Sequence, residues 1–266
     1  MAVFPFYIES NPGNRFCLYH PPSGACRGCV LFVPPFAEEL NKSRRMIALQ
    51  SRALSEIGYA VLSVDPYGCG DSSGDFEEAR WEIWMEDLTL AAQWLMKKHE
   101  KPITLWGLRF GALMGLEFAR TCGESFERIV LWQPVQSGEA HLTQFLRLRV
   151  TAEMLSGGKT TTQELRDRLS SDGTVEIAGY ELPMDIAKNM DRLKLQDLGI
   201  PGVWHHWMEF TASGELSPAS VRILDTWAKK GIKCDVAKVQ GEPFWSTQEI
   251  TDCPALIEET ARLFPN

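Results

Sequence analysis

Leu105-Trp106-Gly107-Leu108-Arg109-Phe110-Gly111-Ala112 is the stretch on which the fold turns. Upstream of its centre, Pro102 to Trp106 reads as a short apolar strand, and downstream a helical pattern runs through Ala119. Gly107 and Gly111 bracket the change, so the backbone can swing sharply from strand to helix where larger residues would clash. The residue at the vertex of such a turn projects over the end of the sheet, and here it is Arg109.

The same alternation extends in both directions. Phe16 to Tyr19 fits an early strand, and Cys29-Val-Leu-Phe-Val33 is a fully apolar run ending at Pro34-Pro35, as a buried central strand does. Met46, Leu49, Ala53 and Ile57 fall at helical spacing, with Ser43 as the expected cap and Gly58 as the stop. Tyr59 to Val64 is the next strand, and Trp81, Trp84, Leu88, Ala91 and Leu95 mark an amphipathic helix. Arg128 to Trp132 is a further strand. The rhythm then breaks from about residue 135 to 196, where helical stretches, a Ser156-Gly157-Gly158 break and a Thr174-to-Tyr180 strand candidate suggest an inserted cap. Strands resume at Val203 to Phe210 and Cys234 to Val239, with helices near Ala219–Lys229 and Ala255–Leu263. Strands alternating with helices imply an α/β architecture with a mostly parallel sheet. The expected division is a core of 1–134 and 197–266 with a cap of 135–196.

Composition narrows the function classes. The 266 residues carry 27 Lys+Arg against 35 Asp+Glu, a net charge of −8, which argues against nucleic acid as a partner. No apolar run is long enough for a membrane span, and the N-terminus lacks the pattern of a secretory signal. Seven scattered cysteines fit reduced thiols and a cytoplasmic location. Cys26-Arg-Gly-Cys29 has no second ligand pair for a metal and runs into a strand rather than opening a helix, so neither metal nor cofactor is expected.

A second motif, Asp65-Pro-Tyr-Gly-Cys-Gly-Asp-Ser-Ser-Gly74, follows a strand and resembles the D-x-x-G-x-G-x-S-x-G loop of α/β-hydrolases. The turn around Arg109 is similar to their G-x-S-x-G nucleophile elbow, between strand and helix. The resemblance implies an α/β-hydrolase fold: a mostly parallel eight-stranded sheet, helices on both faces and a helical cap insertion. The vertex departs from the pattern. A guanidinium has only donors and keeps its proton, so it neither attacks a carbonyl nor accepts a proton as a base. The family's histidine follows the last strand, where this chain reads Gln240-Gly-Glu-Pro-Phe-Trp-Ser-Thr-Gln248, with Phe244 or Trp245 in its place. The acid would fall near Glu209 or Glu215.

Several further segments narrow the resemblance. Val33-Pro-Pro-Phe-Ala-Glu-Glu-Leu-Asn-Lys-Ser-Arg-Arg-Met46, Leu131-Trp-Gln-Pro-Val135, His141-Leu-Thr-Gln-Phe-Leu-Arg-Leu148, Ala152-Glu-Met-Leu155 and Gly241-Glu-Pro-Phe-Trp245 join the two motifs above. Together they look like the exosortase A system-associated hydrolase 2 family, over most of the chain. That resemblance implies an α/β-hydrolase-like protein accompanying bacterial exosortase, PEP-CTERM and exopolysaccharide systems, with arginine at the elbow as a family trait. It does not name a substrate.

Arg109 would stand at a helix N-terminus that already bears roughly half a positive charge. Left buried and unpaired there, it would cost on the order of 3–5 kcal/mol. Something anionic is therefore expected beside it. One source is Glu38 or Glu39, in the loop after the Cys29–Val33 strand. The other is an anionic or acylated small molecule held by Arg109 and the Phe110 N–H, such as a carboxylate, phosphate, uronic acid or acyl-thioester head group. Phe36, Ala37, Phe110, Trp245 and His141 are the expected ligand-contacting residues, and His206 is the candidate strand histidine for acid–base work. Ser72, Cys69 and Ser137 are the candidates for a displaced nucleophile in an ester or thioester hydrolase or an acyltransferase. A non-catalytic interaction protein is the third class. His205 and His206 are strand neighbours facing opposite ways, so only one can point to a given face, and a core or edge role is the plainer reading of the pair; His20 reads as structural and His99 as solvated. The apolar cap stretch through Leu142, Phe145, Leu146, Leu148, Val150 and Met154 suits cap–sheet packing, an acyl-sized pocket or a homodimer interface.

Overall fold

The structure, a computed structural model, describes residues 3–265. Ten strands, nine α-helices and one short 3-10 helix (Phe76–Glu78) are described. Eight strands form one sheet: β1 (Phe4–Glu9), β2 (Asn14–His20), β3 (Gly28–Val33), β4 (Tyr59–Val64), β5 (Ile103–Leu108), β6 (Phe126–Trp132), β9 (Trp204–Phe210) and β10 (Cys234–Val239). Their order is β1-β2-β4-β3-β5-β6-β9-β10. β2 pairs antiparallel with β1 and β4, and the other pairings are parallel. This is the eight-stranded, mostly parallel sheet of an α/β-hydrolase fold.

The register follows from burial on both faces. β3 and β5 are buried at every residue, because parallel strands under helices on both sides have no solvent face. Alternate side chains therefore feed two cores. Leu31, Leu62, Leu105 and Leu131 meet the helices α2 (Trp81–His99) and α3 (Phe110–Thr121) through Trp84, Leu88, Leu95 and Leu116. Val30, Val61, Trp106, Val130 and Trp132 meet α1 (Glu38–Glu56) and α9 (Pro254–Ala261) through Met46, Leu54 and Leu256. Val33 pairs with Gly107, and Gly107 with Leu131, so three strands end level beneath one crevice. Open parallel sheets bind ligands at such an edge.

Two local expectations need correction. Ser43 does not cap α1: the helix begins at Glu38 with Ala37 as its cap residue, and Ser43 lies buried inside it. The loop geometry after β3, not a capping side chain, sets the start. The Thr174-to-Tyr180 strand is a hairpin, β7 (Thr174–Ile177) and β8 (Tyr180–Pro183), turning on Ala178 and Gly179, both with positive φ.

Between β6 and β9 lie α4 (Gly138–Leu155), α5 (Thr162–Asp172), that hairpin, α6 (Met184–Arg192) and the short α7 (Leu195–Leu198). Leu142, Leu146, Leu169, Ile186 and Met190 of this segment share one apolar cluster with the α2–α3 face of the sheet. Leu148, Met154 and Leu155 of α4 remain exposed. α8 (Pro218–Lys229) closes the far end of the same face, with Trp227 edge-on to Trp207. Among the described residues no helix is long and apolar enough to cross a membrane.

Candidate functional site

The elbow is built by sterics. A Cβ on Gly107 would stand 2.6 Å from the Ala112 Cα, and one on Gly111 would stand 2.4 Å from the carbonyl oxygens of Val33 and Pro34. Only glycine lets α3 start this close to the ends of β5 and β3. Between them Arg109 has φ 56° and ψ −120°, a conformation costly for a residue with a side chain. Its N–H donates to the Trp132 carbonyl at 2.9 Å, and its own carbonyl accepts from Ala112 at 3.1 Å. Ala37, in the loop after β3, has a nearly matching φ 51° and ψ −127°. Two strained residues thus face one crevice, each heading a helix.

The guanidinium of Arg109 is held on two sides. Its Nε donates to Glu39 Oε1 at 3.2 Å, and its central carbon lies 5.3 Å from the Trp245 ring centroid. Among the described residues no other protein group hydrogen-bonds it, so its two terminal nitrogens are open. Of the two glutamates expected beside it, Glu39 is the partner. Glu38 instead accepts from Tyr180 Oη at 3.2 Å and Asn41 Nδ2 at 3.3 Å. Adjacent residues at a helix start point about 100° apart, so only one of them reaches the vertex.

His141, on the first turn of α4, completes the cluster. Its Nε2 stands 3.9 Å from Glu39 Oε2, beyond hydrogen-bonding distance, and its ring stacks on Phe110 with centroids 5.9 Å apart and planes 4° apart. Phe36 packs edge-on against Phe110 and His141. Burial, then the Arg109 charge, push His141 down to about 3, so its ring is neutral. Burial raises Glu39 against the opposing pull of Arg109. Glu39 Oε2 and His141 Nδ1 are both buried without a hydrogen-bond partner.

The structure therefore brings together Arg109, Glu39, Phe36, Phe110, Trp245 and His141, with Ala37 at the loop vertex. It does not bring in His206. That side chain sits in mid-strand opposite Val130 and Asp235, with Nδ1 3.7 Å from Asp235 Oδ2 and its ring stacked on Trp204. The vertex lies beyond the strand ends, so a residue four positions before the end of β9 does not reach it. Glu209 is buried and accepts the Ser217 N–H at 3.0 Å, while Glu215 is exposed. His99 is half-buried, and its Nε2 pairs with Tyr19 Oη at 2.7 Å.

The displaced nucleophiles are occupied or unreactive. Ser72 Oγ donates to the Asp65 carbonyl and accepts the Phe16 N–H at 2.8 Å, tying the glycine loop to β2. Burial raises the Cys69 thiol well above its ordinary value, and the thiolate is the nucleophilic form. Ser137 caps α4 by accepting the Ala140 N–H at 3.3 Å. Among the described residues no histidine hydrogen-bonds a serine or threonine hydroxyl; the partners of His99 and His205 are Tyr19 and backbone groups.

Three cavities meet around the vertex. One of about 190 Å³ is lined by Arg109, Gln133, Gln136, Ser137, His141 and Gln144. A second, about 250 Å³, shares His141 and Gln144 with the first and is bordered by Glu39, Phe36 and Trp245. A third, about 240 Å³ and mainly apolar, lies between Phe36, Cys69, Trp84, Phe110 and Tyr180. Gln133, Gln136 and Gln144 had no role in the sequence reading. Their signal is positional: Gln133 and Gln136 stand directly after a parallel strand, at the edge where ligands bind. Among the described residues no group of three or more His, Cys, Asp or Glu side chains gathers as metal ligands.

A family model described as serine aminopeptidase, S33, matches residues 24–181, more than half of the chain. The chain belongs to the serine aminopeptidase S33 family. In this S33 member the elbow vertex is Arg109 and the ring beside it is Trp245. No curated protein sequence matches the chain. Solved structures similar to this S33 member include Est1E from Butyrivibrio proteoclasticus with ferulic acid bound, 18% identical with a TM-score of 0.69 over 97% of each chain. A thermostable carboxyl esterase from Bacillus coagulans in complex with glycerol is 13% identical, with a TM-score of 0.65 over 99% of this chain and 98% of that one. An alpha-beta serine hydrolase homologue from Coxiella burnetii is 14% identical, with a TM-score of 0.58 over 100% of this chain and 99% of that one. At these identities the likeness is one of fold.

Proposed function

We propose that this S33 member has exchanged nucleophilic catalysis at the elbow for recognition of an anionic or acylated small molecule, with Arg109 as the anchor. The observation that carries the proposal is the state of the guanidinium. One nitrogen is spent on Glu39, the other two have no hydrogen-bond partner among the described residues, and Arg109 lines the 190 Å³ cavity. A single charge-assisted bond positions the fork, and the fork is what reads a carboxylate or phosphate. The Phe110 N–H at the head of α3 adds a donor. Glu39 positions Arg109 and His141 lines the cavity beside it, while Phe36, Ala37, Phe110 and Trp245 line the adjoining cavities. Residues 135–196 act as a cap, contributing His141 and Gln144 over the vertex.

The proposed setting, supported by the sequence resemblance to the exosortase A system-associated hydrolase 2 family, is exosortase-linked exopolysaccharide metabolism in the cytoplasm. Ligand titration calorimetry with a panel of small carboxylates and phosphates tests the reading. Wild type binds at least one of them, and Arg109→Gln weakens that binding by about ten- to a hundredfold, the value of a charged hydrogen bond. Covalent labelling of any serine by a fluorophosphonate probe, with turnover of p-nitrophenyl esters that survives Arg109→Gln, overturns it in favour of a relocated nucleophile.

A further inference from the structure

The 190 Å³ cavity beside Arg109 carries more hydrogen-bonding capacity than an anion alone can use, and its donors and acceptors are sorted by the protein's own bonds. Gln133 Oε1 accepts the Phe210 N–H at 2.6 Å, which leaves its Nε2 as a donor. Gln136 Nε2 donates to Ser217 Oγ at 3.2 Å and Ser220 Oγ at 3.3 Å, which leaves its Oε1 as an acceptor. Ser137 Oγ accepts the Ala140 N–H and keeps its own hydrogen to donate. Gln144, which lines the cavity, has no hydrogen-bond partner among the described residues and offers both kinds. His141 is 7% exposed, neutral, and has Nδ1 buried without a partner. A buried polar atom left without a partner is costly unless something bonds it.

We infer that the ligand is a small polyhydroxylated carboxylic acid, of sugar-acid size: its carboxylate lies on the Arg109 fork, and its hydroxyls engage Gln133, Gln136, Gln144 and His141. The inference rests on the reading of Arg109 as an anion anchor and adds the neighbouring groups. A hydroxyl both donates and accepts, so it satisfies an alternating set of amide and imidazole groups that a plain acyl chain would leave desolvated and unpaired. A fully ionised phosphate brings acceptors only and leaves Gln136 Oε1 without a donor. At 190 Å³ the cavity is below the usual drug-sized range and suits one such molecule. Its open side, at Gln136 and Ser137, continues into a wider groove bearing Lys194, Arg222 and Lys229, three cations against the single acid Asp225. That field draws an anion toward the vertex despite the net charge of −8.

Calorimetry with five probes in three chemical classes tests the inference: the sugar acids galacturonate, glucuronate and gluconate, the plain carboxylate propionate, and the neutral sugar galactose. At least one sugar acid binds about tenfold or more tighter than propionate, and galactose binds weakest. Gln144→Leu, at an exposed helix position that does not threaten folding, lowers sugar-acid affinity and leaves propionate affinity unchanged. Equal affinity for propionate and all three sugar acids overturns the inference and leaves the anion anchor standing. Galactose binding as tightly as the acids overturns the role given to the carboxylate, and no binding of any sugar acid overturns the inference; the anion anchor falls as well only if the carboxylate and phosphate panel is also silent.

Discussion

Separating Arg109 from Glu39 should destabilise the protein in a way that depends on which partner is removed. Glu39→Gln keeps the shape of the side chain but leaves a guanidinium at the positive end of α3 with no counter-charge. The bond is single, at 3.2 Å, and the side chains are 16% and 19% exposed, so solvent screens part of the charge. The loss is then about 2 kcal/mol, below the 3–5 kcal/mol of a fully buried broken pair. Arg109→Gln leaves Glu39 instead, and Glu39 has an escape: burial already raises its pKa, and losing Arg109 raises it further. A carboxyl whose folded-state pKa lies above its unfolded value binds more protons when folded. Its contribution is fully present below the unfolded pKa and is lost as pH rises through the folded one. Arg109→Gln should therefore be mild near pH 4 and grow costlier toward neutrality, while Glu39→Gln should show no such slope from this pair. Urea unfolding of wild type, both single variants and the double variant across that pH range measures it. If the two single losses add to the double within about 0.5 kcal/mol at every pH, the residues are uncoupled and the reasoning fails.

Three other outcomes follow from the same geometry. His141 is held near 3, and burial also lowers His20 and His205, each to about 4. Since a depressed histidine stays neutral when folded but charges when unfolded, stability is complete above about pH 6.5 and falls toward pH 4; His141→Phe should recover about 2 kcal/mol of the loss at pH 5, read by denaturant midpoint. Gly111→Ala forces a methyl against two backbone carbonyls and should cost at least about 1–3 kcal/mol of stability, seen as a lowered thermal midpoint. Reversing Arg222 and Lys229 together to glutamate should weaken carboxylate binding several-fold in low salt and very little at about 1 M salt, where the Debye length is near 3 Å; equal weakening in both salts would remove the groove from the argument.

What was legible in the sequence was what burial dictates over several consecutive residues. β3 and β5 are apolar throughout because both their faces are covered, and Gly107 and Gly111 announce an elbow because no Cβ fits there. β1 was not legible: it is an edge strand with Pro5 in its run and Phe4 and Tyr7 exposed, so neither alternation nor continuity marks it. Ser43 misled because capping preference is a local signal, and the start of α1 is set by the strained Ala37 that the sheet edge imposes. Sequence could place a glutamate near Arg109 but could not choose between Glu38 and Glu39, a choice made by roughly 100° of helix rotation. His206 was expected to do acid–base work and His141 to contact a ligand; register put the first in mid-sheet, and α4 put the second over the vertex.

The strained vertex is not itself a sign of function. Gly107, Gly111 and the level ends of β3 and β5 would force residue 109 into that backbone conformation whatever its side chain. The side chains around it carry the information. A merely blocked elbow would be filled by apolar groups, which lose nothing on burial. This one instead gathers a cation, a carboxylate with a raised pKa and a neutral histidine with an unpartnered nitrogen. Each of these is costly to bury, and the costs are only partly offset by one 3.2 Å bond and one aromatic face. Internal bonds leave two guanidinium nitrogens without a protein partner among the described residues, so the missing acceptors are sought in the proposed ligand rather than in the fold.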